Sequence, residues 1–348
     1  MLHNKPYLPV SCVAFQKISA NILEESVRTS DVTADRDGLC TGKPFSEAGL
    51  VHLLEKAATS FYSAQLFEIV NEVYKLLIPI AEAKRHFSRL AEMHGKLQEV
   101  FSRVDQLHGR RIFETYFRVG FYGAKLGDLD GEEFVYKEPH LTKLNEIAHR
   151  LESFYSAQFG SKAVEVIKDS NPVDVKQLDP SKLFIQITYV EPYFDSWELD
   201  QKKTSFEKNY NIKKFVFSTP FTLDGRAHGE LHEQHKRKTI LETVNTFPYV
   251  KTRIQVKNRK VITLTPIEVA IDDVQKKTTE LTSVVCQTNC DPKILQMLLQ
   301  GCIGTTVNQG PLEVANVFLS EPSKAMPGRA PTPLQNKLKC CFKDFCRV

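Results

Sequence analysis

Apolar residues recur every three or four positions over residues 46–101, which is the spacing of amphipathic helices. Ser46 is a favourable N-cap residue, and three successive apolar stripes predict three helices, the second of which ends near Pro79. The stripes consist of Leu50, Leu53, Leu54, Ala57 and Phe61; Leu66, Ile69, Val70, Val73, Leu76 and Leu77; and Phe87, Leu90, Met93, Leu97, Val100 and Phe101. They predict a helical-repeat-like array, although no fixed period repeats.

The pattern changes near residue 113 to β-branched and aromatic runs that glycine and proline separate. Strands are predicted at 113–122, 133–137, 163–167, 183–190, 214–218, 239–244 and 252–256, with one helix at 144–159. Short runs of this kind, set off by prolines, are typical of antiparallel sheets. This part of the chain therefore predicts a lobe of two antiparallel β-sheets.

Helical periodicity returns at Pro266, which follows Thr265 as a proline in the first helical position should. A later amphipathic stretch is interrupted by Gly301, Gly304, Gly310 and Pro311, which are residues that end helices. The interruption places one apolar residue, Val307, among polar neighbours, and interruptions of this kind often present a functional group. A last helix is predicted near 335–346, after a proline-rich segment at 322–333.

These patterns predict an α+β protein of three lobes: a helical array at 1–112, a β lobe at 113–264 and a helical bundle at 265–348 that carries the interrupted helix. The net charge of +4 is small for 348 residues and gives no reason to expect a nucleic-acid partner. No apolar run is long enough to span a membrane, and no signal peptide is recognisable. Eight cysteines without such a signal predict reduced thiols and a cytoplasmic protein.

Two groups of residues invite a metal or catalytic interpretation. The cysteines at 286–290 and 340–346 lack the paired spacing of zinc ligands, so incidental or buried thiols are the preferred interpretation. His228, His232 and His235 lie close together, but their spacing is not that of a zinc-protease helix, and the adjoining basic residues 236–238 oppose a bound cation. A solvated basic loop between strands is therefore predicted there. No phosphate-binding loop or nucleophile motif is present, and no metal or cofactor is expected.

Several segments, in the same order, resemble the catalytic second homology region of the dedicator-of-cytokinesis (DOCK) guanine-nucleotide exchange factors. They are residues 134–139, 185–195, 219–222, 236–240, 247–253, 265–271 and 307–311, and together they extend over most of 45–320. Residues 222–232 resemble most closely the subfamily related to the zizimins. The helical lobe begins late by this comparison and 321–333 is unlike the family, so a shortened family member is expected.

The resemblance implies a non-enzymatic exchange factor for Rho-family GTPases, either Rac-like or Cdc-like, which forms homodimers through its helical lobe. It implies that Val307 is a nucleotide sensor, whose apolar side chain disfavours the magnesium ion that helps the GTPase to hold GDP. The residues expected to contact the GTPase are Leu299, Gln300, Thr306, Asn308, Gln309, Pro311, Leu312, Tyr193 and Phe194. The alternative hypothesis is a scaffold that binds GTPases or adaptors without exchanging nucleotide.

Overall fold

The computed structural model describes residues 5–9, 12–22, 46–107, 111–226, 229–286, 292–303, 310–320 and 332–348. The α-helices are α1 (Glu47–Ser63), α2 (Phe67–Ala83), α3 (Phe87–Gln106), α4 (Leu144–Phe159), α5 (Ser196–Gln201), α6 (Pro266–Val285), α7 (Pro292–Ile303), α8 (Pro311–Leu319) and α9 (Pro333–Arg347). The strands are β1 (Thr115–Tyr122), β2 (Glu133–Glu138), β3 (Val164–Ile167), β4 (Leu183–Tyr193), β5 (Ile212–Phe221), β6 (His235–Phe247) and β7 (Arg253–Leu264). No helix in these ranges has the length and apolar character of a membrane span.

The chain divides into two compact units. The first comprises residues 1–114, 194–213 and 245–252, and the second comprises residues 115–193, 214–244 and 253–348. The first unit thus contains α1, α2, α3 and α5, whereas the second contains most of the strands and the remaining helices. Each unit has its own hydrophobic core, as expected for a chain of this length.

The core of the first unit lies between α1, α2 and α3, where the buried side chains include Leu54, Val73 and Val100. The Ser46 hydroxyl accepts a hydrogen bond from the backbone N–H of Gly49 at 3.1 Å, which confirms Ser46 as the cap of α1. One segment distant in sequence joins this core, because Tyr210 donates a hydrogen bond to the Ile18 carbonyl at 2.5 Å.

The prediction that the second helix ends near Pro79 is wrong, because α2 continues through it to Ala83. Proline deletes one backbone donor, yet Ile80 and Ala81 directly after it are 2% and 4% exposed. Burial of this apolar face outweighs the lost hydrogen bond. At the start of α1, Glu47 is half-buried and forms ion pairs with Lys5 and Lys84. The hydrogen bonds from these lysines, Lys5 first, lower the pKa of Glu47 to about 2.

The strands of the second unit follow the order β1-β2-β7-β6-β5-β4-β3, and β1 also pairs with β4. The pairs β1–β2, β1–β4, β2–β7, β4–β5 and β6–β7 are antiparallel, whereas β3 and β4 are parallel. The combination of helices with mainly antiparallel strands is as predicted. The strands form one set of seven that closes on itself rather than two separate sheets, since β1 has a partner on each side.

Strands β6 and β7 are 13 and 12 residues long, about twice the predicted lengths. The additional part of β7 carries the exposed residues Lys257, Asn258, Arg259 and Lys260. The last three pair with β6 although they bury no apolar face. A strand that is polar on both faces escapes a search for apolar alternation. A β-bulge lies between Glu242 and Thr243, where Lys257 is the extra residue of the partner strand.

Candidate functional site

Helix α6 forms the frame of the candidate site. Its first turn has the predicted proline, and Thr265 and Glu268 form a capping box in which the backbone N–H of Thr265 donates to the Glu268 carboxylate at 2.9 Å. The hydrogen bonds from the Thr265 side chain and backbone hold the pKa of Glu268 below its usual value. Only Thr265 separates this helix from Leu264, the last residue of β7, so the direction of α6 follows directly from the strand.

Ion pairs attach α6 to β4 and β6. Lys236 Nζ lies 2.6 Å from Asp273, Lys238 Nζ lies 3.3 Å from Asp272, and Lys276 Nζ lies 3.0 Å from Glu191. Burial opposes the charged form of Lys276, but the hydrogen bond and charge of Glu191 outweigh it, so the pKa of Lys276 is raised. All three pairs are partly exposed, and such pairs contribute on the order of 1 kcal/mol or less each.

The predicted loop between strands lies between β5 and β6, but the adjoining basic residues 236–238 are half-buried within β6 and are not part of the loop. Lys236 and Lys238 form ion pairs with Asp273 and Asp272 of α6. These aspartates balance the charge of the two lysines, whereas the side chains of a solvated loop would be neutralised by water and ions. The missed signal was this acidic pair, two elements further along the chain.

The second unit has a further apolar core beneath α6, where Ala270, Ile271 and Val274 pack with Val314 of α8 and Leu338 of α9. Beside this core is an open cavity of about 370 Å³. Its apolar lining includes Val269, Val274, Pro311, Phe318, Phe342 and Phe345, and its polar lining includes Asp273, Lys276, Lys277 and Glu280. Gly301 of α7 also lines the cavity, so both helices that flank residues 304–309 border it.

Helices α7 and α8 expose an unusual amount of apolar surface. In α7, Met297 is 66% exposed and Ile303 is 60% exposed, whereas Cys302 is its buried residue. In α8, Leu312 is 77% exposed and Val314 is buried. Large apolar side chains that are exposed together on neighbouring parts of a surface often mark a site where a partner binds. Helix α7 continues two residues past Gly301 to Ile303, and Cys302 within this stretch is buried.

The central predicted residues, Thr306, Val307, Asn308 and Gln309, lie outside the described residues. The predicted residues on their flanks are described. Leu299 and Gln300 are exposed in the last turns of α7, Pro311 is the first residue of α8 and lines the cavity, and Leu312 follows it. The flanks therefore present apolar side chains on both sides of the predicted sensor position.

The two predicted residues from the β lobe differ in their surroundings. Tyr193 ends β4, and Lys238 Nζ lies 5.8 Å from the centre of its ring, a cation–π contact. Because Lys238 also binds Asp272, Tyr193 is joined to α6 by a single intervening side chain. Phe194 belongs to the first unit, where Lys202 Nζ lies 4.3 Å above its ring and burial lowers the pKa of this lysine.

The described part of this region has the character of a recognition surface. Its polar side chains include the ion-paired Asp273 and Lys276, and its cavity lining is mainly apolar. Over the described ranges, no group of three or more histidine, cysteine or acidic side chains is arranged to hold a metal ion. His235 instead stacks beside Phe221 with a centroid separation of 5.6 Å, and His228 is outside the described residues.

Comparison with known proteins identifies the architecture. Residues 1–106 match the family described as DHR-2, Lobe A, residues 170–246 match DHR-2, Lobe B, and residues 280–348 match DHR-2, Lobe C. The three lobes of one DHR-2 region thus occur in order along the chain. The chain belongs to the dedicator-of-cytokinesis (DOCK) family, as its motifs predicted.

The relatives are similar over the whole of this chain. Human dedicator of cytokinesis protein 7 is 62% identical over 351 residues, which cover 100% of this chain and 16% of the relative. Mouse dedicator of cytokinesis protein 6 is 58% identical, covering 100% of this chain and 17% of the relative. Mouse dedicator of cytokinesis protein 8 is 56% identical, covering 99% and 16% respectively. The chain therefore spans about one sixth of the length of these relatives.

Proposed function

We propose that this chain is a guanine-nucleotide exchange factor for Rho-family GTPases, Rac-like or Cdc-like, and that it performs no covalent chemistry. The observation that carries the proposal is the occurrence of all three DHR-2 lobes together with exposed apolar residues on both flanks of residues 304–309. The proposed lobe boundaries remain 1–112, 113–264 and 265–348, and the proposed location is the cytoplasm.

The proposed mechanism is thermodynamic linkage. A protein that binds the nucleotide-free GTPase more tightly than the GDP-bound form weakens nucleotide binding by the same factor. In this proposal Leu299, Gln300, Thr306, Asn308, Gln309, Pro311 and Leu312 contact the GTPase, with Tyr193 and Phe194 contributing from the β lobe. Val307 supplies an apolar side chain where magnesium requires oxygen ligands in octahedral geometry, so that the ion and GDP leave more readily.

The test is release of fluorescent GDP from a Rac-like and a Cdc-like GTPase, with excess unlabelled nucleotide, in the presence and absence of the chain. We expect faster release with the wild-type chain and little acceleration with Val307→Ala, which retains GTPase binding. The matched control is Val175→Ala, because Val175 is 57% exposed at a distant position in the sequence. Binding of the wild-type chain without acceleration would instead establish the scaffold function.

We also propose that the helical array mediates a weak homodimer. Of the aromatic residues in α1, α2 and α3, Phe67 and Tyr74 are buried in the core, whereas Phe87 is 73% exposed and Phe101 is 52% exposed. Both exposed residues lie on α3, and exposed aromatic residues along one helix favour a twofold contact, which uses one surface twice. Sedimentation over a concentration series tests this, and a mass that remains monomeric at high concentration excludes it.

A further inference from the structure

Helix α9 has a row of basic residues on the side opposite its core contacts. Lys339, Lys343 and Arg347 lie four residues apart, so they project from one stripe of the helix. All three are exposed, while Leu338 and Cys341 on the other side are buried against α6. The stripe is bordered by the exposed uncharged residues Asn336, Cys340 and Cys346.

Packing and helix stability do not account for this row. Like charges four residues apart destabilise a helix by about 0.2–0.5 kcal/mol per pair, and the row contains two such pairs. The helix dipole favours a cation only in the last turn, where Arg347 lies. The nearest acidic partner is Asp344, 3.3 Å from Arg347 in a pair that is more than 60% exposed on both sides. Among the residues that the structure describes, no carboxylate forms an ion pair with Lys339 or Lys343.

We propose that this stripe of α9, defined by Lys339, Lys343 and Arg347, docks on an anionic lipid surface. Partners that hold a helix in a groove need its apolar side, which α9 has already buried against α6. Protein interfaces concentrate aromatic residues and contain few lysines, whereas this stripe has lysines and no aromatic residue. Anionic headgroups require only positive charge near the surface and attract each basic residue by about 1 kcal/mol. The inference is independent of the exchange proposal.

The test measures how the full 348-residue chain partitions onto vesicles of phosphatidylcholine with 30% phosphatidylserine, compared with phosphatidylcholine alone, at low salt. Lys339→Gln/Lys343→Gln removes two surface attractions and should lower the partition coefficient about 30-fold. The control Lys162→Gln/Lys176→Gln changes two exposed lysines elsewhere and gives the same net charge, +4 minus 2, or +2. Circular dichroism should show the same unfolding curve for all three proteins.

Four possible results of these measurements either support or overturn the proposed lipid binding. Selective loss of binding in the α9 variant, together with release of the wild-type chain by 0.5 M salt, supports the proposal. Equal partitioning of the α9 variant and the control overturns it, as does equal binding to neutral vesicles. Binding to immobilised polyglutamate but not to anionic vesicles also overturns it and would assign the stripe to an acidic protein partner.

Discussion

Replacement of Leu312 tests the proposed GTPase-binding surface without disturbing the core of the helical bundle. Complete burial of a leucine side chain is worth about 1.5–3 kcal/mol, and Leu312 is 77% exposed. Burial of the exposed part of the Leu312 side chain in a complex would therefore contribute about 1–2 kcal/mol to the binding free energy. Leu312→Ala should weaken binding to a nucleotide-free GTPase about 5–30-fold, and Leu312→Glu should weaken it more than 100-fold because a carboxylate would be buried without a partner.

The assay is isothermal titration calorimetry with a nucleotide-free Rac-like or Cdc-like GTPase. A substitution at so exposed a position should change the free energy of unfolding by less than about 0.5 kcal/mol, which thermal unfolding checks. Leu141→Glu is the matched control, since Leu141 is 73% exposed in the loop before α4. If Leu312→Glu is folded and binds with wild-type affinity, the start of α8 does not contact the GTPase.

Further predictions concern stability and self-association. Because the native pKa of Glu47 is lowered from 4.5 to about 2, its ion pairs stabilise the first unit fully above about pH 4.5 and lose this effect as the pH falls towards 2. Glu47→Gln should therefore cost about 1–2 kcal/mol at pH 7, after allowance for the exposed lysines, and little at pH 2.5, as urea unfolding would show. Gly301→Ala should raise stability by up to about 1 kcal/mol because its new Cβ meets no atom within 4 Å, whereas Gly131→Ala should lower it because φ is +79° there. Phe87→Glu/Phe101→Glu should raise the dissociation constant of the proposed dimer at least tenfold in sedimentation experiments and leave the thermal unfolding curve unchanged.

Sequence pattern predicted the elements that local rules determine. Helix α4 has the predicted bounds, and α6 begins at the predicted proline because Thr265 and Glu268 supply a cap that is visible in the sequence. The predictions that were wrong concerned features that depend on contacts between distant parts of the chain. Pro79 lies within α2 because neighbouring residues are buried, and the closing pair β1–β4 joins segments about 70 residues apart, which no local pattern indicates.

The sequence predicted the local features of the candidate site but not its contacts between distant residues. The glycines and proline around residues 301–311 indicated an interruption, and α7 ends and α8 begins on its two sides. The contacts of α6 were not predictable, because Lys236 and Asp273 are 37 residues apart and each alone is typical of a solvated surface. Met297 and Ile303 are ordinary apolar helix residues in the sequence, and only their exposure in the structure marks them as a surface for a partner.

The extension of β6 and β7 bears on how the protein avoids unwanted association. Beyond Gln255, the pairings of β7 in the described part of the chain are with β6 alone, so its other side offers unpaired backbone groups to another strand. Lys257, Arg259 and Lys260 lie along that stretch, and charged side chains and bulges are the means by which natural sheets discourage edge-to-edge aggregation. Replacing these basic residues by valine or threonine would turn a protected edge into a template for stacking copies of the chain. The polar character that concealed this strand from sequence inspection is thus what keeps it from recruiting further strands.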